Sequence, residues 1–438
     1  VNRFLKYWLL TLVLKLLFAA ILPLSPDEAY YWLWSKQLQL SYFDHPPFVA
    51  WLFYLGHWFE SWGQLVRWPF VLMGHLTLAV WFGILKDRFS WNEYKAWYIL
   101  ALASPMLGIG SLLGTPDVPH VFFWSLAIYF FQRALNERHS RDYLFFGVSL
   151  GLGFCAKYHM VLFVPFAIAY LLLEKRWREV RIGGLAMTLV SGLLFSLPVI
   201  LWNYQNDFVS FKYQLHHGLG SSTWSPEWTL GYLAGEILLL FPWVFYLALR
   251  ARPEGKYRIL LYLAWGPLLF FLCSSFKGAV ELNWPIAAFP AVFALILFLP
   301  NFRKVLRVAA VFWLCFYTFA FSAALFLPDG NAIAKPFREP FRFRKLTALT
   351  ERYVPLYAGT YQIAGTLWWE KKTPFYKLRD MSRFDYFDTL PGSLPQEDTF
   401  YLVQENWSTI PEWVEKAGYK TTVVEKIEPH YLVVKVFR

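Results

Sequence analysis

The sequence predicts an α-helical polytopic membrane protein with a small C-terminal α/β domain, and three observations predict it. Of 438 residues, 57% are apolar and 16% charged, with mean hydropathy +0.36, against about 45–50% apolar and about 25% charged for a soluble domain. Apolar windows that approach the roughly 20 helical residues needed to span hydrocarbon recur up to residue 327. From Pro328 onward charges of both signs become frequent and short β-rich runs appear.

The windows are Leu5–Leu22, Leu65–Leu85, Ala96–Leu113, Val118–Leu135, Tyr143–Ala156, Met160–Leu173, Ile182–Leu201, Leu230–Leu249, Ile259–Ser274, Pro285–Leu299 and Leu306–Leu327, about 11 spans. Lys15 interrupts the first, and no small-x-small cleavage site precedes Ser25, so it is expected to be an uncleaved span and not a signal peptide. Alternate connectors are basic: Arg3 and Lys6; Lys86, Arg88 and Lys95; Arg133, Arg138 and Arg141; Lys175 to Arg181; Arg250 to Arg258; Arg303 to Arg307. The opposite connectors hold only Lys36, Arg67, Lys157, Lys212 and Lys277. The positive-inside rule then places the N-terminus in the cytoplasm and, with an odd span count, the tail outside. Topology thus accounts for most of the +11 net charge, which argues against a nucleic-acid partner. Cys155, Cys273 and Cys315 lie in apolar runs, and no histidine sits in a zinc-binding spacing.

Two domains are expected: 1–327 in the membrane, with helices lying in the interface within the first outer loop, and 328–438 outside it. In the latter, strands are predicted at Thr399–Val403, Thr421–Val424 and Tyr431–Phe437, and helices at Tyr361–Glu370 and Ile410–Ala417.

The chemistry-bearing residues gather in the outer connectors. The first outer loop runs about forty residues, well beyond a plain connection. It carries Ser25-Pro26-Asp27-Glu28-Ala29-Tyr30-Tyr31 and Tyr42-Phe43-Asp44-His45-Pro46-Pro47, then an aromatic stretch Val49–Phe59 that reads as an interfacial helix. Asp117 follows Gly114-Thr115-Pro116 at the mouth of two helices, as a helix N-cap or as a functional acid. Ala156-Lys157-Tyr158-His159 puts a lysine near membrane depth, where it needs an anionic partner or a route to the interface. Trp202-Asn203 precedes a polar and aromatic run, and Lys277 through Glu281, Asn283 and Trp284 form another outer loop. Acids able to act as a base and cations able to hold phosphate are what displacing a phosphate from a sugar requires. Aromatic faces suit sugar rings and lipid tails.

Asp27-Glu28 after the first span, Tyr-Phe-Asp-His-Pro-Pro, Thr-Pro-Asp, Ala-Lys-Tyr-His, Leu-Trp-Asn and Asn-Trp-Pro occur in an order that resembles the bacterial family 39/83-type glycosyltransferases. That group is similar to the lipid A aminoarabinose transferase and the protein O-mannosyltransferases. The resemblance implies a GT-C fold, a polyprenyl-phosphate sugar donor, an inverting reaction and a bacterial inner-membrane location with the active site and tail domain on the periplasmic side. It implies catalytic carboxylates at Asp27, Glu28, Asp44 and Asp117, Asp27 being the expected base. Where the aminoarabinose transferases resemble Glu-Lys-Pro-Pro, this chain has Asp44-His45-Pro46-Pro47. The donor phosphate is expected on Lys157, His159 and Lys277, and the substrates against Tyr30, Tyr31, His45, Asn203, Glu281, Asn283 and Trp284. Asp44 is the candidate ligand for a divalent metal ion. The acceptor is expected to be an envelope glycolipid such as lipid A or lipopolysaccharide. The alternative is a flippase of lipid-linked sugars, which would need ionisable residues deep in the spans; Lys15, His75 and Glu236 are the deep candidates.

Overall fold

Each of the eleven apolar windows is occupied by helix in the computed structural model, which describes residues 2–219, 223–327, 331, 338, 341, 343–427 and 430–438. The helices are α1 Asn2–Ile21, α2 Pro26–Trp34, α3 Phe48–Gly56, α4 Trp68–Leu85, α5 Trp91–Ala103, α6 Asp117–Asn136, α7 Ser140–Ala156, α8 Phe163–Leu173, α9 Ile182–Gln205, α10 Val209–Leu219, α11 Pro226–Leu239, α12 Pro242–Ala248, α13 Ile259–Ser274, α14 Phe289–Leu295 and α15 Phe302–Phe326. Beyond them lie α16 Leu349–Arg352, α17 Tyr361–Lys371 and α18 Glu412–Lys416. Pro328, where the composition shifts, lies outside the described residues.

Among the described residues five helical runs are long and apolar enough to cross a membrane, and a sixth is if α11 and α12 form one span. The straight span expected over Leu230–Leu249 is instead bent by 93° between those two helices. Phe241 adopts a φ of 68° there and Pro242 follows, and proline cannot continue the helical hydrogen bonding. The third window breaks similarly: α5 stops before Pro105, and a π-turn over Pro105–Ile109 and a 3-10 turn over Gly110–Leu112 complete it. Helix α3 has nine residues, roughly 13 Å, too short to cross alone. It continues into a kinked 3-10 run over His57–Arg67.

Contacts divide the chain into two units, Val1–Ile21 with Gln39–Phe316, and Leu22–Leu38 with Tyr317–Arg438. In the first unit the basic connectors meet at one end. Arg133 pairs with Asp142, Arg176 reaches Asn136, Arg181 reaches the Arg138 carbonyl, Arg258 pairs with Glu174 and Lys256 with Asp87. Lys95 lies over Tyr7 at the same end of α1 as Arg3. The sorting of loops by charge is therefore also a sorting by position.

The short helix α7 packs tightly because it is built of small residues. A Cβ on Gly147 would lie 2.0 Å from Ser191 Oγ and 2.3 Å from the Thr188 carbonyl oxygen of α9, and one on Gly151 would lie 2.6 Å from the Gly192 carbonyl oxygen. Thr188 and Ser191 hydroxyls donate across to the Tyr143 and Leu144 carbonyls at 3.0 and 3.2 Å. With no hydrophobic drive between helices in lipid, such close backbone approach and hydrogen bonding hold a pair together.

In the second unit, strands β1 Leu356–Ala358, β2 Thr399–Glu405, β3 Lys420–Ile427 and β4 Tyr431–Phe437 form one sheet in the order β1-β2-β4-β3. β1 runs parallel to β2, and the other pairings are antiparallel. Phe400, Leu402, Val434 and Val436 pack with Leu378, Val414 and Tyr419 as its core, while edge strand β3 is mostly exposed and carries Lys420, Glu425 and Lys426. Three buried residues suffice for β1, too short a run to show alternation in sequence.

Gly147→Val forces α7 and α9 apart at their closest point. It should cost about 1–3 kcal/mol, the usual range for overpacking, read as a lowered unfolding temperature in detergent micelles; Gly183→Val, facing open space, should leave it nearly unchanged.

Candidate active site

At the end of the first unit opposite the basic connectors, α7 terminates because Lys157 takes an extended conformation (φ −156°, ψ 136°), followed by a 3-10 turn. The break sends three consecutive side chains in three directions. Lys157 Nζ lies 2.5 Å from Asp117 Oδ1. Tyr158 and Ser210 share a 2.8 Å hydroxyl hydrogen bond. His159 stacks edge-on against Phe271 and lies beside Trp284, with a hydrogen bond to the Trp284 backbone.

Asp117 is the first residue of α6, and its carboxylate does not cap its own helix. Oδ1 accepts from Lys157, and Oδ2 accepts from Asn283 Nδ2 at 2.8 Å. Both oxygens are engaged by donors, which suits a residue that orients Lys157 more than one that removes a proton. Asp117 and Lys157 are 9% and 5% exposed, so this is a buried ion pair. Lys157 has three protons, and Asp117 takes one.

His120, one turn along α6 from Asp117, is buried with its ring 6.5 Å from that of His159, and the charge of Lys157 reaches both rings. His120 was missing from the sequence-derived candidates. The i, i+3 spacing from Asp117 on one helical face was the available signal.

Asn203 is fully buried, and its amide serves the chain itself: Nδ2 donates to the Val199 carbonyl at 3.1 Å, and Oδ1 accepts from Phe211 N at 3.2 Å. It joins α9 to α10 in place of presenting a face to a ligand. Ser210 in turn donates to the Phe43 carbonyl, and Gln214 to the Asp44 carbonyl, both at 2.8 Å. The segment carrying Asp44 and His45 is thereby tied to α10. Asp44 is buried and His45 half-buried, within electrostatic reach of His159. Lys277 and Glu281 are exposed in the loop that ends at the half-buried Asn283 and Trp284. Among the described residues the one group of three whose ligand atoms converge is Glu137, His139 and Asp142, at the basic end; Asp44 belongs to no such group.

The second unit holds the Asp27-Glu28 pair. Ser25 and Glu28 form a capping box: Glu28 N donates to Ser25 Oγ, and Ser25 N donates to Glu28 Oε2 at 2.9 Å. Glu28 is fully buried and starts the helix, whereas Asp27 is exposed. Tyr30 is 1% exposed, its hydroxyl accepting from Tyr386 N at 2.8 Å, while Tyr31 is half-buried. Burial pushes the Tyr386 hydroxyl up from its ordinary value, so it stays protonated and donates to Gln37 Oε1. Of the deep ionisable residues, Lys15 donates to Ser111 Oγ at 2.6 Å and His75 Nε2 lies 2.8 Å from the Trp8 carbonyl. Both therefore have partners inside the bundle.

Removing one member of the buried pair strands the other. Asp117→Leu should cost about 3–5 kcal/mol in detergent unfolding, and the double variant Asp117→Leu/Lys157→Met should recover most of it, because a buried pair exchanged for apolar side chains is often near neutral. Additive losses would show that the two do not interact.

Known proteins resemble this chain in sequence and in fold. Residues 44–202 match the family model described as dolichyl-phosphate-mannose-protein mannosyltransferase. The lipid A galacturonosyltransferase RgtD of Rhizobium johnstonii is 26% identical over 410 residues, covering 86% of this chain and 82% of that one. The undecaprenyl phosphate-alpha-4-amino-4-deoxy-L-arabinose arabinosyl transferase 2 of Pseudomonas fluorescens is 27% identical over 316 residues, 62% of this chain and 56% of that one. Among solved structures, ArnT from Cupriavidus metallidurans bound to undecaprenyl phosphate has a similar fold, with a TM-score of 0.67 at 15% identity over 99% of this chain and 98% of that one. Its apo form gives a TM-score of 0.69 over the same shares. None of these relatives supports a flippase. In sequence the chain is similar to these glycosyltransferases and in fold to ArnT, and it is itself an integral-membrane glycosyltransferase.

Proposed function

We propose that the enzyme moves a sugar from a polyprenyl-phosphate donor to lipid A or lipopolysaccharide at the periplasmic face of the bacterial inner membrane. The observation that carries this reading is the buried Lys157–Asp117–Asn283 group at the end of the first unit opposite the basic connectors. By the positive-inside rule that end faces away from the cytoplasm, where lipid-linked sugars and envelope acceptors meet. The names of the relatives, which include a lipid A galacturonosyltransferase and an ArnT bound to undecaprenyl phosphate, support the donor and acceptor classes.

The donor phosphate binds Lys157, whose orientation Asp117 and Asn283 set, with exposed Lys277 as a second cation. The acceptor hydroxyl oxygen attacks the anomeric carbon, and the bond from that carbon to the phosphate oxygen breaks on the opposite face, which inverts the configuration. The electron pair stays on the phosphate, where Lys157 offsets the charge. On the family resemblance, the acceptor proton passes to the Asp27 carboxylate of the second unit. Glu28, spent on the capping box, does not compete for that role. No acid is needed for the leaving group, unlike a glycosidase pair. Within the first unit His45, Trp284 and Glu281 contact substrate, and His159 holds Trp284. Asp44 suits a divalent ion in the way magnesium is held by one or two carboxylates plus substrate phosphates, so such an ion would bind together with the donor.

The test is mass spectrometry of envelope lipids from cells carrying the wild-type chain or Asp27→Asn at matched membrane levels. Lipid A or lipopolysaccharide gaining one glycosyl unit with the wild type and none with the variant is the expected result. A unit found only on protein would overturn the acceptor, and equal gains would overturn Asp27 as the base.

A further inference from the structure

Helix α2 has only nine residues, too few to persist in water without tertiary support. Seven of them, Pro26, Glu28, Ala29, Tyr30, Trp32, Leu33 and Trp34, are buried. Asp27 and Tyr31, one turn apart, are the two that are not, so the helix has one open face and Asp27 is on it.

Two elements of the C-terminal chain grip the closed faces. Helix α17 approaches so closely that a Cβ on Gly365 would lie 3.1 Å from Tyr30 N and 3.3 Å from the Ala29 carbonyl carbon. Trp369 meets Trp32 edge-on at 5.0 Å, with the Lys372 ammonium over both rings. The second element is the turn 383–388, whose Tyr386 N–H donates to the Tyr30 hydroxyl. That turn is itself built on a buried cation. Lys377, fully buried, donates to Asp385 Oδ2 at 2.7 Å, Asp388 Oδ2 at 2.5 Å and the Arg383 carbonyl at 3.0 Å. Asp385 Oδ1 accepts from Phe387 N, while Asp388 Oδ2 and Oδ1 accept from Asp385 N and Asp380 N. All three ammonium protons and all four carboxylate oxygens are used. A buried polar group satisfied this completely rigidifies its surroundings, and desolvating three charges for so short a turn is costly where packing alone would serve.

We propose that Lys377, Asp385 and Asp388 are positioning residues for transfer: through Tyr386 and Tyr30 they hold α2 in the orientation that presents Asp27. This rests on the reading of Asp27 as the base. It makes the C-terminal domain the frame of the catalytic carboxylate, in addition to whatever it binds. Misplacing a reacting group by about 1 Å costs on the order of a hundredfold in rate, so a slackened frame is felt as lost turnover while donor binding is kept.

The experiment is a double-mutant cycle on the full-length protein in proteoliposomes, with transfer rate and donor KM measured against a polyprenyl-phosphate sugar. Lys377→Met should lower kcat about tenfold with KM within about twofold, and on the Asp27→Asn background it should lower kcat no further, because residues that act as a unit are non-additive. Gly365→Ala leaves the Lys377 network intact and displaces α2 by a few tenths of an ångström. It should show the same pattern with a loss of about threefold to tenfold, which keeps the test open should Lys377→Met not fold. Equal losses on both backgrounds, or unchanged rates for both variants on the wild-type background, would overturn the inference alone. An Asp27→Asn protein that transfers at the wild-type rate would overturn the base assignment and this inference with it.

Discussion

The salt bridge between Lys157 and Asp117 is the constraint on which the end of the first unit opposite the basic connectors depends. Ionic groups at membrane depth are tolerated when they pair, and this pair joins residues forty positions apart. Pairing fixes the α7 break that frees Tyr158 and His159 to reach their own partners, and it leaves Asp117 Oδ2 to hold Asn283. Four segments at this end are thereby stitched together by side chains from three consecutive residues. The arrangement gives a buried lysine an anionic partner, so that it sits at this depth without being exposed.

The fold was largely legible because two strong signals coincided. Hydropathy located the helices, and basic charge sorted their ends, since neither a bare backbone amide nor an unpaired lysine is cheap in hydrocarbon. Where the signals failed, a local backbone effect was responsible. The 93° bend at Phe241-Pro242 interrupts a run that stays apolar throughout, so hydropathy alone carries no trace of it. Helix α7 is short and glycine-rich, yet close packing on α9 stabilises it without a long apolar stretch.

The site was legible as an inventory and not as an arrangement. The motifs named Lys157, Asp117 and Asn283 but could not say that one carboxylate bridges the other two, because that depends on the extended backbone at Lys157. Asp27 and Glu28 are equivalent in sequence, and only the capping box separates them, drawing Glu28 inward and leaving Asp27 exposed. Tyr30 and Asn203, read as ligand contacts, are absorbed into packing and backbone hydrogen bonds. The Lys377 network left no recognisable pattern, since Asp385 and Asp388 are ordinary turn residues until a buried lysine meets them.

The proposed transfer depends on Lys157 as the group that grips the donor's phosphate. Equilibrium binding of polyprenyl monophosphate to the protein in nanodiscs, comparing wild type with the double variant Asp117→Asn/Lys157→Met, tests it most directly because the variant leaves no stranded charge. A loss of affinity of about tenfold or more, worth about 1.4 kcal/mol, is the predicted result. Affinity equal to wild type in a folded variant would contradict it.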